Sequence, residues 1–136
     1  MELRNYKDAD FPQLEELLKN TKIYYAPLDK REIFKKKIKH DPESIIVAAD
    51  DDQLVGTVFI IYDPRNSFIY HLCVHSNHRG QGYAKELMNE AEKRLKARGV
   101  NRPTLFVEEE NRQVVDFYRK RGWNILYKVF CMEKQL

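Results

Sequence analysis

Cysteine, glycine, proline and long apolar runs are all scarce in this sequence of 136 residues. Its two cysteines, Cys73 and Cys131, cannot form a disulfide framework and make no CxxC metal-binding pair. No apolar run approaches the roughly 18 residues of a membrane span. The segment Met1–Tyr6 carries charges where a secretory signal would be apolar. We therefore expect a reduced, cytoplasmic protein that uses neither a metal nor a membrane.

The chain also lacks a large excess of charge of either sign. Lys and Arg together number 24, Asp and Glu 21, which gives a net charge of +3. This balance argues against a dedicated nucleic-acid-binding protein. The 43% content of hydrophobic residues is typical of a globular protein, and the length predicts one domain over residues 1–136. The run Lys30–Lys39 is then most simply a solvated basic face.

Hydrophobic patterning predicts a mixed α/β chain with the element order β-α-α-β-β-β-α-β-α-β and room for one more strand at the end. The predicted strands are Glu2–Tyr6, Ser44–Ala49, Leu54–Tyr62, Phe68–Val74, Thr104–Val107 and one or two within Trp123–Met132. The predicted helices are one capped by Asp10, one opened by Asp29 and Glu32, Gly82–Arg98, and Asn111–Arg121.

The most informative stretch is a strand that leads through a glycine-containing loop into the third helix, around Gly80 and Gly82. Free backbone N–H groups at such a helix start attract an anion such as a pyrophosphate. The loop is not a Walker A motif, because no Gly-Lys-Ser/Thr follows. It is not the dinucleotide fingerprint either, because Lys85 stands where that motif needs a third small residue. Taken alone, the glycines fit an ordinary turn equally well.

This stretch resembles motif A of the GCN5-related N-acetyltransferase (GNAT) superfamily, written Arg/Gln-x-x-Gly-x-Gly/Ala. Arg79, Gly82 and Ala84 match it in order, and Gly80 matches the common Arg-Gly-x-Gly form. The strand that ends at Val74 resembles the splayed fourth strand of the family. The run Asn111–Trp123 resembles motif B. Among relatives, the chain is most similar to small stand-alone bacterial and archaeal acetyltransferases.

The resemblance implies a fold and a cofactor. The fold would be a central twisted mixed sheet of about six or seven strands flanked by about four helices. The co-substrate would be acetyl-CoA, with its pyrophosphate on the loop and its pantetheine along the edge of the fourth strand. The residues implied in cofactor binding are Leu72, Cys73, Val74, Arg79, Gly80, Gln81, Gly82, Tyr83, Ala84, Asn111 and Tyr118.

The implied reaction is direct attack of a primary amine on the thioester, within a ternary complex. Tyr118 would act as general acid to the CoA thiolate, and the N–H of Leu72 would polarise the thioester carbonyl. A catalytically silent acetyl-CoA sensor is the alternative. Cys73 is expected to be a small strand residue and not a nucleophile.

The resemblance does not assign a general base, because Phe68 stands where many members of that family carry a Glu. Glu109 is the candidate base. Glu108, Glu110, His71 and a chain of waters remain open. Tyr24, Tyr25 and His71 are predicted to line the acceptor pocket. The partners would be acetyl-CoA and a small-molecule or protein amine, and the exposed C-terminal strands are compatible with a homodimer.

Overall fold

Strands and helices follow the predicted order through the third helix. The computed structural model describes residues 1–136 and divides them into two units, Met1–Leu105 and Phe106–Leu136. The first unit contains β1 (Glu2–Asn5), α1 (Phe11–Asn20), α2 (Arg31–His40), β2 (Ile45–Asp50), β3 (Gln53–Ile61), β4 (Phe68–Val74) and α3 (Tyr83–Ala97). The second unit contains α4 (Arg112–Arg119). None of these helices is long and apolar enough to cross a membrane.

The sheet is an antiparallel meander whose strands lie in their chain order, β1-β2-β3-β4. The β2–β3 hairpin turns at Asp51 and Asp52, whose φ angles are 49° and 64°. Aspartate tolerates such left-handed conformations better than most residues. The predicted hairpin is therefore confirmed, and β4 becomes the last strand of the meander.

β2 and β3 are buried on both faces of the sheet, because helices cover both faces. Ile45, Val47 and Ala49 of β2 join a core cluster with residues of α1 and α2. Since strand side chains alternate, Ile46 and Ala48 face the other side, where the buried apolar residues of α3 lie. Those residues are Leu87, Met88, Ala91 and Leu95.

Asp10 is the N-cap residue of α1, as predicted, but its side chain makes no capping hydrogen bond. The Asp10 carboxylate instead accepts the N–H of Lys7 at 2.9 Å and pairs with Arg4 at 2.7 Å. Pro12 lies in the first turn as predicted. The buried carboxylate thus closes the turn that precedes the helix.

The predicted strands after α3 are not formed. Thr104 makes one isolated parallel bridge to Phe68, and the rest of Thr104–Val107 is not strand. The segment Trp123–Met132 contains no strand and is largely exposed. The sheet therefore has four strands and not six or seven. Side chains that favour strands form one only when a neighbouring strand accepts their backbone hydrogen bonds, and nothing in this tail is so paired.

Candidate active site

The loop between β4 and α3 presents unused backbone donors. Gly80 and Gly82 have φ angles of 79° and 82°, which favour glycine, and Gly82 is the N-cap of α3. No N–H from Gly80 to Ala84 donates a hydrogen bond to another protein group. A Cβ added at either glycine would meet no atom within 4 Å. The loop therefore has unpaired N–H donors and open surroundings at both glycines, which suits an anion held by the backbone at a helix start.

Side chains fix both ends of this loop. The amide of Asn20, at the end of α1, bonds the Ser76 hydroxyl at 3.2 Å and accepts the Ser76 N–H at 3.1 Å. The Arg79 Nε donates to the carbonyl of Val74 at 3.4 Å. The ring of His78 stacks on that of Tyr83, with 6.4 Å between centroids. The loop is thus held in place before any ligand binds.

β4 carries a bulge in the middle of the strand. Thr57 pairs with Cys73 and Phe59 with Tyr70, so His71 and Leu72 together oppose one residue of β3. His71 has a φ of 54°, which is rare for a residue other than glycine. On its outer side, β4 is bridged at Phe68, and the N–H of Ile69 reaches Thr104. No strand pairs with Tyr70–Val74 on that side, which leaves an edge open to an extended ligand.

His71 is held by a carboxylate from the loop between α1 and α2. Its Nε2 lies 2.9 Å from Oδ1 and 3.2 Å from Oδ2 of Asp29, and the Asp29 side chain is only 5% exposed. Asp29 also accepts the N–H of Tyr25 at 2.8 Å. The structure therefore joins Tyr25 and His71, two predicted acceptor-pocket residues, through Asp29. Asp29 does not cap α2, whose N-cap is Lys30.

A half-buried lysine, Lys37 of α2, lies on the same face of the sheet. The Lys37 Nζ donates to the carbonyl of Ile60 at 2.8 Å and lies 5.2 Å from the centre of the Tyr70 ring. Burial lowers the pKa of Lys37 to about 8, against the opposing effect of Asp41. Burial also raises the pKa of Tyr70.

Cys73 is a poor candidate for nucleophilic chemistry. Burial raises the pKa of its thiol to about 11, although hydrogen bonding with Thr21 opposes that shift. A thiol that stays protonated is a weak nucleophile. This agrees with the expectation that Cys73 is a strand residue only.

In the second unit, Asn111 and Tyr118 belong to one helix. Asn111 is the N-cap of α4, and its carbonyl accepts the N–H of Val115 at 3.1 Å. Tyr118 contacts the rings of Phe117 and Trp123 at centroid distances of 5.2 and 6.1 Å. Burial raises the pKa of Tyr118 to about 12. The phenol therefore keeps its proton throughout the neutral range.

Glu109 is an exposed residue in the same unit. Its carboxylate lies 2.7 Å from the Nζ of Lys128, and this pairing lowers the pKa of Glu109. A carboxylate with a lowered pKa is a weaker base than an ordinary one. The geometry therefore gives little support to Glu109 as the proton acceptor.

Comparison with known proteins identifies the family. Residues 11–123 match the model of the acetyltransferase (GNAT) family. An acetyltransferase from Yersinia pestis (strain Pestoides F) is 33% identical over 120 residues, which is 88% of this chain and 85% of that protein. The chain belongs to the GNAT acetyltransferase family. An acetyltransferase of Sodalis glossinidius is 30% identical over the whole chain and 96% of its own length.

The fold of this GNAT protein also agrees with solved structures. The N-acetyltransferase PaiA from Thermoplasma acidophilum, solved with coenzyme A, superposes with a TM-score of 0.80 at 20% identity, over 91% of this chain and 89% of its own. The predicted family, the α/β fold class and the assignment as an N-acetyltransferase are thus confirmed. The roles of individual site residues stay predictions.

The predicted site residues fall into three groups in this GNAT chain. Arg79 to Ala84 and the end of β4 form one continuous stretch, as the motif indicated. Tyr25 and His71 meet through Asp29, whereas Tyr24 lies under the Lys19 ammonium, 4.9 Å from its ring centre. Asn111, Tyr118 and Glu109 belong to the second unit.

The sequence did not predict Asp29 or Lys37 as site residues. Asp29 resembled a helix cap, and Lys37 resembled the other lysines of a basic helix.

Proposed function

We propose that this acetyltransferase transfers the acetyl group of acetyl-CoA to a primary amine. The observation that carries the proposal is the row of unused N–H groups from Gly80 to Ala84 at the start of α3, in a loop whose two glycines have open surroundings. The pyrophosphate of coenzyme A is an anion suited to such donors. The coenzyme A bound to the Thermoplasma PaiA structure supports the same cofactor for this chain.

The pantetheine would extend along the open edge of β4. Its amides can pair with a strand edge as a peptide does, and Tyr70–Val74 has no strand on that side. The thioester would then lie near the bulge, with the N–H of Leu72 directed at its carbonyl. Such a donor stabilises the oxyanion that forms on attack, typically by about 3–4 kcal/mol. Cys73 and Val74 would continue the pairing, and Arg79, Gln81 and Tyr83 would supply further loop contacts.

The amine must lose a proton before it attacks. For an ammonium with a pKa of about 10.4, this costs roughly 4–5 kcal/mol at pH 7. The nitrogen lone pair then bonds to the acetyl carbon, and the carbon–sulfur bond breaks. Tyr118 would protonate the departing thiolate. Its raised pKa keeps the phenol protonated but makes it a weaker acid, so the thiolate must itself be destabilised by burial to accept the proton. Asn111 would bind the pantetheine.

The second candidate is a sensor that binds acetyl-CoA without turnover. Phe68, which has no titratable group, stands where many relatives carry a glutamate, and this favours the sensor if no other base replaces it. Both candidates use the same loop. They differ only in whether thiol is released when an amine is supplied.

The test measures acetyl-CoA binding by calorimetry and thiol release with a panel of primary amines, amino acids and peptides. For Tyr118→Phe, we expect unchanged binding and at least a tenfold fall in kcat. Tyr127→Phe is the matched control, because Tyr127 is 74% exposed in the same unit. Absence of acetyl-CoA binding would overturn both candidates. Tight binding without thiol release from any acceptor would favour the sensor.

A further inference from the structure

The structure contains one buried carboxylate–imidazole pair outside the predicted cofactor contacts. Asp29 and His71 are 42 residues apart in sequence, yet both carboxylate oxygens lie within 3.2 Å of Nε2. The Asp29 side chain is almost fully buried, and that of His71 is 21% exposed. One partner is therefore enclosed, while the other keeps access to solvent and ligand.

Asp29 is held by its own loop. Its N–H donates to the carbonyl of Tyr25 at 2.8 Å, and its carboxylate accepts the Tyr25 N–H at the same distance. A carboxylate at Nε2 favours the tautomer that carries its proton there, which leaves the Nδ1 lone pair available. Nδ1 of His71 bonds to no other protein group. The imidazole is thus oriented with one basic nitrogen unused.

The bulge in β4 determines which way that ring faces. Successive strand residues normally point to opposite faces, but Tyr70 and His71 both contact the ring of Phe59, at centroid distances of 5.3 and 4.9 Å. The positive φ of His71 makes this possible. The bulge therefore turns His71 toward the loop that holds Asp29. The next residue in the chain is Leu72, which is proposed to bind the thioester carbonyl.

We infer that His71 accepts the proton that the amine loses, and that Asp29 is the positioning residue that orients it. This inference rests on the proposed function. The ammonium gives one proton to Nδ1, which later releases it to solvent. The nitrogen then bonds to the acetyl carbon, and the electron pair of the broken carbon–sulfur bond leaves on sulfur. A second proton lost by the nitrogen balances the one that sulfur receives. The products are an amide, the free thiol and one released proton.

Other titratable groups near this pair bear on any pH profile. The Tyr70 ring contacts that of His71, and the Lys37 ammonium lies over the Tyr70 ring. Cys73 lies two residues further along β4, and the backbone of Tyr25 is bonded to Asp29. Burial favours the neutral form of Tyr70 and of Cys73. The test therefore follows how the defect of each variant changes as the amine loses its own proton. That ionisation is a property of the acceptor and not of the groups around His71.

The experiment compares His71→Gln and Asp29→Asn with the wild type, using an amine that supports thiol release. At pH 7 we expect kcat to fall about 100-fold for His71→Gln, at the lower end of the usual range for general base catalysis, and about tenfold for Asp29→Asn, because it removes only the orienting group. The Kd for acetyl-CoA should stay within twofold. The defect should shrink as the pH approaches 10, because the amine then loses its proton without help. A merely structural role would give the same loss at every pH.

Asp10→Asn is the matched control, because Asp10 is another buried carboxylate that accepts a backbone N–H and pairs with a cation. It should lose stability without a pH-dependent loss of kcat. An unchanged kcat in His71→Gln, or a loss that does not vary with pH, would overturn the inference while leaving the acetyltransferase intact. A wild-type protein that binds acetyl-CoA and acetylates nothing would overturn the proposed reaction and this inference together.

Discussion

The loop after β4 and the bulge within β4 are neighbours in the chain, but they are built by different means. From Gly80 to Ala84 the groups proposed to bind the cofactor are backbone N–H groups on consecutive residues. At the bulge they are side chains, and His71 meets Asp29 across 42 residues of sequence. Backbone N–H donors are present whatever side chains the loop carries, so they are lost only when an added side chain blocks them or the chain changes course, whereas a side-chain site loses its chemistry with a single substitution. This difference suits a constant cofactor beside a variable acceptor.

The largest expected effect comes from removing the ring beneath the bulge. Phe59 is 1% exposed and contacts the rings of Phe34, Tyr70 and His71. Phe59→Ala should lower the free energy of unfolding by about 3–5 kcal/mol, measured by urea denaturation. Acetyl-CoA affinity, measured where the variant is still folded, should change less than threefold.

Phe130→Ala provides the control for that measurement. Phe130 is 94% exposed, so its removal should change the free energy of unfolding by no more than about 0.5 kcal/mol. If Phe59→Ala weakened acetyl-CoA binding as strongly as a change in the loop, the two regions would have to be regarded as one site.

A substitution in the loop should produce the opposite result. Gly82→Asp adds a Cβ and a negative charge where the pyrophosphate is proposed to bind, at a residue with φ of 82°. We expect acetyl-CoA affinity to fall about 100-fold, or ~2.7 kcal/mol, by calorimetry. Gly99→Asp is closely matched, since Gly99 has φ of 86° and equally open surroundings after the other end of α3.

Gly82→Asp should be the weaker binder of acetyl-CoA but the more stable of the two glycine variants. A negative charge is favourable at the start of a helix and unfavourable at its end, so Gly99→Asp should be the less stable protein. Its acetyl-CoA affinity should nevertheless stay within threefold of the wild type. Equal losses of affinity in both variants would contradict the assignment of the loop.

These regions also differ in how far the sequence predicts them. Alternation located β1, apolar β-rich runs bounded by turn residues located β2 to β4, and helical spacing of apolar residues located α3. The loop was predictable for a related reason, since its glycines lie in one short motif. Asp29 was not, because nothing local distinguishes a helix cap from a carboxylate that holds a distant imidazole. The bulge at His71 could not be predicted either, because no glycine or other turn-favouring residue marks it in the sequence. The predicted strands in Trp123–Met132 are not formed, because no neighbouring strand pairs with this segment. The pattern of residues within a segment does not show whether such a neighbour exists.

The smallest expected effect concerns the half-buried Lys37 of α2. Because burial lowers the pKa of Lys37 to about 8, the folded protein releases this proton near pH 8, whereas the unfolded chain keeps it to about pH 10.4. Between these values the unfolded state binds more protons, so stability contributed by Lys37 rises with pH. Relative to Lys37→Met, the wild type should gain on the order of 1 kcal/mol from pH 8 to 10, after discounting for partial exposure. Urea denaturation at both pH values measures this gain. Lys36→Met, an exposed position on the same helix, should show no such change with pH; an equal gain there would mean that the effect belongs to the charge of the whole helix and not to the burial of one ammonium beside Tyr70.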